Sequence, residues 1–273
     1  MKNLKEILET RKKLKEKSPL IHAITHPIAI NMAANAILAI GGQPICAAHP
    51  DEVGEIVNMS DSLSINLGNI TSERMVAMER AARAANDKEI PLAIDMVGVG
   101  ASTLRFDFAN KLLNNFHFDL IKGNASEIRA TAIGKSSAKG VDVGEADRLR
   151  GENIKNLALE ARDLALKYDS VVLITGETDL IVGNDLYIEI KNGVENLSRI
   201  TGTGCMLTAI ISSFMAAADP LDASLLGLLI MEVAAEKVEN DRLYTFFVSL
   251  MDEIGLISDE EILEKAKVRK VKF

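Results

Sequence analysis

Cysteine is scarce in this 273-residue chain: Cys46 and Cys205 are far apart, each among apolar neighbours. A disulfide-stapled scaffold needs more of them, and the Cys-x-x-Cys spacing of a metal knuckle is missing. Positive charge is also in deficit. With 31 Lys and Arg against 39 Asp and Glu, the formal charge is −8, which argues against the basic surface that non-specific nucleic-acid binding requires. A small anionic ligand stays open, because one local site can be positive within an acidic protein. Long apolar runs are lacking too, since the longest, 205–218, is short and interrupted by Ser and Thr, so no bilayer span is expected. The opening segment MKNLKEILETRKKLKEK is amphipathic and densely charged, without the apolar core of a signal peptide. A reducing cytoplasm is the expected compartment. No repeat, low-complexity tract or Pro/Gly/Ser linker divides the chain, and residues 1–273 are expected to form one domain.

What is present is an alternation of short apolar runs with longer stretches of helical character, the pattern of βαβ units that build a mostly parallel sheet. Strands are expected at 20–24, 43–48, 62–66, 91–95, 119–123 and 171–175, with a hairpin over 179–190 turning at Gly183-Asn184. Helices are expected near 3–16, 27–40, 71–87, 103–115, 124–132, 153–168, 204–217, 221–240 and 258–267. The fold class is therefore α/β, with helices on both faces of the sheet. The basic C-terminal KVRKVKF reads as an exposed tail without a function.

Several strands end alike, an apolar run stopping at a polar residue with a glycine soon after: Asn66 and Gly68, Asp95 and Gly98, Lys122 and Gly123-Asn124, Thr175 and Gly176. Ligands of open parallel sheets bind outside the carboxyl ends of the strands. Polar and small residues also end most strands simply because loops begin there, but four such ends together would line one crevice.

Three constellations could carry chemistry. The first is Gly202-Thr203-Gly204-Cys205, opening an apolar helix. A helix N-terminus leaves backbone N–H groups unpaired at a positive dipole end, and glycine lets an anion come close. The spacing is neither the Rossmann fingerprint nor a Walker A loop. Cys205 in the first turn is either a small buried hydrophobe or a thiol whose pKa the dipole lowers. The second is Asp95 with KGNASEI (122–128): Asp95, Asn124 and Glu127 suit Mg²⁺ through oxygen, and Lys122 would neutralise phosphate. Asn-x-x-Glu is also a capping pair, and the two roles can coexist. The third is the segment 21–52, in which His22, Thr25, His26, Asn31 and Asn35 punctuate apolar residues. Asn31 and Asn35 share a helix face and read as buried amides that bond a loop or ligand. The histidines at 22, 26 and 49 fit no zinc spacing, and His49 is expected on a loop near a ligand or subunit edge.

The order IHAIT, LAIGGQP, Asp95 before a Val-Gly, KGNASEI, ITGE and TGTGC resembles the hydroxyethylthiazole kinase family of the ribokinase-like superfamily, over roughly residues 18–240. The resemblance implies a three-layer fold with a central, mostly parallel sheet flanked by helices. It further implies ATP-dependent phosphorylation of the hydroxyl of 4-methyl-5-(2-hydroxyethyl)thiazole in thiamine salvage, with Mg²⁺, in a homotrimer whose sites lie at subunit boundaries. On that resemblance Lys122, Asn124 and Thr175 are the expected ATP contacts, and Asp95 and Glu127 the acidic residues around Mg²⁺. Cys46, Gly202, His26 and Asn31 fall on the acceptor side, and residues 202–205 carry the catalysis. Three positions depart from the family pattern: His26 replaces an Asn, Cys46 a thiazole-contacting Met, and Met96 a Pro. The alternatives are a ribokinase-like kinase for another small alcohol (a hydroxymethylpyrimidine or a sugar), an ADP/ATP-dependent NAD(P)H-hydrate dehydratase, or a non-catalytic nucleotide-binding module.

Overall fold

A computed structural model describes residues 2–133, 152–239 and 242–273. The chain begins with α1 (Leu4–Lys17) and β1 (Leu20–Ile24). There follow α2 (Ile30–Ile40), β2 (Gln43–Ile45), α3 (Val53–Met59), β3 (Ser62–Asn66), α4 (Ser72–Lys88), β4 (Leu92–Asp95), α5 (Thr103–Asn115) and β5 (Leu120–Asn124). Two helices, α6 (Ala125–Ile133) and α7 (Glu152–Tyr168), lie between β5 and β6 (Val171–Thr175). The chain closes with β7 (Asp179–Val182), β8 (Leu186–Ile190), α8 (Thr203–Met215), α9 (Pro220–Lys237), α10 (Leu243–Leu256), α11 (Asp259–Lys265) and β9 (Val268–Lys272). The nine strands form one sheet in the order β2-β1-β3-β4-β5-β6-β7-β8-β9. Strands β1 to β6 run parallel, whereas β7, β8 and β9 pair antiparallel at one end.

Parallel strands covered on both faces read as continuous apolar runs. In β6, Val172 and Ile174 enter one core and Leu173 the other, and Leu180 and Val182 of β7 likewise oppose Ile181. The first core packs the sheet against α3, α4, α5, α6 and α7; the second packs it against α1, α2, α8, α9, α10 and α11. This is the three-layer α/β arrangement the sequence pattern implies.

Topology places the crevice. Helix α2, after β1, packs on the second core, while α4, after β3, packs on the first. The neighbouring strands β1 and β3 therefore send their following chain to opposite faces, and an open α/β sheet holds its ligand at such a reversal.

Some expectations need correction. The C-terminal segment is not a tail: Val268–Lys272 forms β9, paired with β8 from Leu186↔Lys272 to Ile190↔Val268. Its two valines face opposite layers, Val271 packing on the first core and Val268 on the second, while the ring of Phe273 lies 5.3 Å from that of Tyr187. Strand β2 stops at Ile45, leaving Cys46 in the loop beyond it. Helices α3 and α10 are additional to those expected. Helix α9 ends at Lys237; residue 240, its expected end, lies outside the described residues. The hairpin is as expected, with Gly183 N–H donating to the Leu186 carbonyl at 3.0 Å.

Candidate active site

Three polar side chains sit shoulder to shoulder where the parallel strands end, Asn66 in register with Asp95 and Asp95 with Lys122. One carboxylate oxygen of Asp95, Oδ2, accepts from Asn66 Nδ2 at 3.1 Å, Lys122 Nζ at 3.0 Å and the Thr208 hydroxyl at 2.8 Å. The ammonium of Lys122 also donates to the Gly204 carbonyl at 2.9 Å, tying the sheet to the start of α8. Lys122 is 3% exposed and Asp95 is fully buried. Burial is the largest influence and works against the lysine's charge, but the Asp95 carboxylate, with smaller help from Cys205 and Glu127, outweighs it, so the ammonium's pKa lies above its usual value.

Helix α8 enters over this pair. Its N-cap, Gly202, has φ +98° and offers no side-chain cap, so the N–H groups of the first turn are left for another acceptor. A Cβ at Gly202 would stand 2.7 Å from Met32 Sδ, and one at Gly204 would stand 3.3 Å from Lys122 Nζ. Glycine at 202 answers both a left-handed backbone and a close approach. The Thr203 hydroxyl turns away, donating to the carbonyls of Leu197 at 2.7 Å and Ile200 at 3.0 Å, and so secures the incoming loop.

Cys205 projects from this first turn to lie 3.3 Å from His26 Nε2. Of its two readings the buried one holds, since its pKa is raised rather than lowered. Burial foremost, with the Asp95 charge second, pushes the thiol up to about 12 against smaller opposing effects of Lys122 and Asn66. The residue is therefore a protonated thiol at neutral pH.

Next to this cluster, Asn124 and Glu127 form the capping pair. Asn124 Oδ1 accepts from Glu127 N–H at 2.9 Å, and Glu127 Oε2 accepts from Asn124 N–H at 2.8 Å. Glu127 Oε1 also takes the Gly98 N–H at 2.8 Å, tying the start of α6 to the loop after β4. Burial first, then the Asp95 charge, raises the Glu127 carboxyl's pKa above its ordinary value. Among the described residues no three His, Cys, Asp or Glu converge on a metal-sized space. The donor set instead offers one open oxygen, the buried Asp95 Oδ1, which has no partner. One open carboxylate oxygen fits a cation that keeps waters and substrate phosphates as its other ligands. Thr175 is half-buried at the end of β6, and the following Gly176 N–H donates to Asp179 Oδ1 at 2.9 Å.

Other expected residues lie outside the cluster. Asn31 and Asn35 are exposed, not buried; Asn35 Nδ2 merely donates back to the Asn31 carbonyl at 2.8 Å along their own helix. Cys46 is half-buried beside the edge strand, and burial raises its pKa. His49 is exposed on the loop before α3. Thr208, Arg74 and Arg105 join the neighbourhood without having been singled out for it. Thr208 is three residues after Cys205 on the same helix, a spacing that could have revealed it. Arg74 donates to the carbonyls of Thr25 and Asn69, and Arg105 Nη1 to that of Val97 at 3.3 Å. A buried carboxylate–ammonium pair under a glycine-opened helix N-terminus, a few strands from the reversal point of a doubly wound sheet, is able to hold a phosphoryl group, and the fold class is that of the ribokinase-like kinases.

The model of the hydroxyethylthiazole kinase family matches residues 11–260, and the chain belongs to that family. It is 44% identical over 262 residues to hydroxyethylthiazole kinase 1 of Clostridium botulinum strain Loch Maree, spanning 96% of this chain and 99% of that one. It is 40% identical to the hydroxyethylthiazole kinase of Alkaliphilus metalliredigens over 97% of both chains. The solved hydroxyethylthiazole kinase of Pyrococcus horikoshii superposes with a TM-score of 0.87 at 32% identity, covering 98% of this chain and 99% of the other. The pyridoxal kinase of Staphylococcus aureus shares the fold alone, at TM-score 0.63 and 12% identity over 93% of this chain and 99% of that one.

Proposed function

We propose that the chain, as one kinase domain, transfers the terminal phosphoryl group of ATP to the hydroxyl of 4-methyl-5-(2-hydroxyethyl)thiazole in thiamine salvage. The observation that carries this reading is the Lys122 ammonium, held between Asp95 and the Gly204 carbonyl beneath the open first turn of α8. Phosphoryl transfer asks chiefly for positioning and charge stabilisation. The N–H groups of residues 202–205 hold the transferring group, Lys122 supplies positive charge beside it, and Asn124 and Thr175 border the nucleotide. Mg²⁺, when bound, neutralises phosphate charge. It would be held by Asp95 Oδ1, with Glu127 acting through water because both of its oxygens already accept N–H groups. On the acceptor side, Gly202 leaves room for the thiazole while Cys205 and His26 face its hydroxyl.

The assembly proposed is a homotrimer with sites at subunit boundaries. Supporting it are the exposed Ile28, Ile30 and Leu38 in and before α2, which flank the exposed Asn31, and the half-buried Cys46 at the sheet edge. On this reading Asn31 and Cys46 reach the acceptor across a boundary. No helix among the described residues is long and apolar enough to cross a membrane, and the cytoplasm is the proposed location. A dehydratase of the same fold normally has Asp after the glycines, so Cys205 weighs against that alternative.

An ATP-consumption assay with the thiazole alcohol, a hydroxymethylpyrimidine or no acceptor tests the reading. Phosphorylated thiazole formed only with Mg²⁺ and ATP is the expected outcome. Turnover restricted to the pyrimidine moves the acceptor, and no turnover with any alcohol overturns the kinase.

A further inference from the structure

We propose that His26 is the terminal proton acceptor of the reaction, taking the Cys205 thiol proton on Nε2 as the sulfur takes the proton of the acceptor hydroxyl. The proposal rests on the kinase reading above and adds a residue role to it. Its geometry is the 3.3 Å approach of His26 Nε2 to Cys205 Sγ at the mouth of the α8 turn. The ring is fixed there from the other side: a Cβ at Gly68 would stand 2.5 Å from His26 Cδ2 and 3.1 Å from Nε2, so only glycine leaves it this place. Gly68 is itself held, its N–H donating to Asn66 Oδ1 at 2.8 Å. His26 is 6% exposed, and its Nδ1 has no partner.

The protonation states fit the role. Charged groups facing the ring are Arg74 from α4, Arg105 from α5 and Asp95 from β4. Burial foremost, then Arg74, keeps the imidazole's pKa below its ordinary value, with Asp95 opposing and Arg105 adding to the depression. The ring is thus neutral at neutral pH and able to accept, while the thiol is a poor base by itself. A relay removes that difficulty because no free thiolate accumulates. The acceptor O–H bond breaks as S–H forms, and the original S–H breaks as Nε2–H forms. The acceptor oxygen bonds to the terminal phosphorus while the bond from phosphorus to the bridging oxygen breaks, its electron pair leaving with ADP. The imidazolium then releases its proton to water. The relay places the resting ring proton on Nδ1.

Two measurements on the full chain test this. The first is kinetics of His26→Gln, which keeps an amide near the Nε2 position but cannot act as a base. The relay predicts kcat lower by about 10²-fold or more, KM for ATP and thiazole alcohol within about threefold, and loss of the wild-type fall in kcat at acid pH. Gly68→Ala, which displaces the ring, lowers kcat in the same direction. Retention of kcat within about threefold, or an unchanged acid limb in His26→Gln, overturns the relay. The second is the ¹⁵N tautomer signature of His26 in the wild-type protein, which needs no turnover. An Nδ1–H ring with a thiol proton on Nε2 supports the relay, and an Nε2–H ring overturns it. If the wild type phosphorylates no thiazole alcohol, the kinase reading falls by that result, and the tautomer still decides whether Cys205 donates to His26.

Discussion

The parallel and antiparallel portions of one sheet make instructive opposites. Strands β3 and β4 finish in polar side chains and β5 carries Lys122 two residues before its end, and these bond one another sideways, Asn66 to Asp95 and Asp95 to Lys122. Strands β7, β8 and β9 finish in turns and an edge, and their lateral ion pair, Glu189 with Arg269 at 3.6 Å, lies within the strands rather than at a shared end. Both portions bury apolar residues on two faces. The difference lies in where the chain goes next. Parallel connections all leave from the same end, so their polar termini accumulate there; antiparallel connections alternate ends and scatter theirs.

Breaking the lateral row should hurt most. Lys122→Ala leaves the fully buried Asp95 carboxylate without its cation and should cost about 3–5 kcal/mol in urea unfolding, together with loss of turnover. Gly202→Ala comes next: Met32 Sδ and the left-handed backbone together predict about 1–3 kcal/mol, part of it regained in the Met32→Ala double variant if the clash is steric. In the antiparallel portion Val271→Asp should cost about 1 kcal/mol through lost packing, leaving kcat unchanged. A fall in kcat there would erase the contrast between the two portions. The smallest effect is in pH. Burial foremost lowers the folded pKa of His22 below the ordinary 6.5, against opposing effects of the Ala47 carbonyl and Glu52. The unfolded chain takes up that proton first. The stability contribution is then complete above pH 6.5 and is lost as pH falls towards the folded value. His22→Asn should flatten that part of a stability-against-pH curve.

What could be read from the residues follows from the same opposition. The row Asn66, Asp95, Lys122 was visible because each closes a short apolar run, and strand ends can be located from hydropathy alone. Cys205 was visible as a member of the glycine turn, but the direction of its pKa was not, because burial beside Asp95 is a property of packing. Thr208 was hidden inside an apolar helix, although its hydroxyl completes the acceptance by Asp95. Strand β9 was illegible for a different reason: its partner β8 lies about eighty residues back, and a short run of Val, Lys and Arg has no periodicity of its own. The two amides of α2 misled, since spacing by four puts residues on one face without saying that the face is covered.

The ends of the sheet carry one more consequence. At one margin β2 has only three residues, one of them Pro44, which lacks an N–H to donate. At the other, β9 presents the exposed cations Arg269, Lys270 and Lys272. Short strands, proline and lysine are the ordinary ways of making a margin unfit for extension. Growth of the sheet by strand addition from a second molecule is thereby disfavoured at both limits, so any contact between copies of this chain would have to be made by helices and loops.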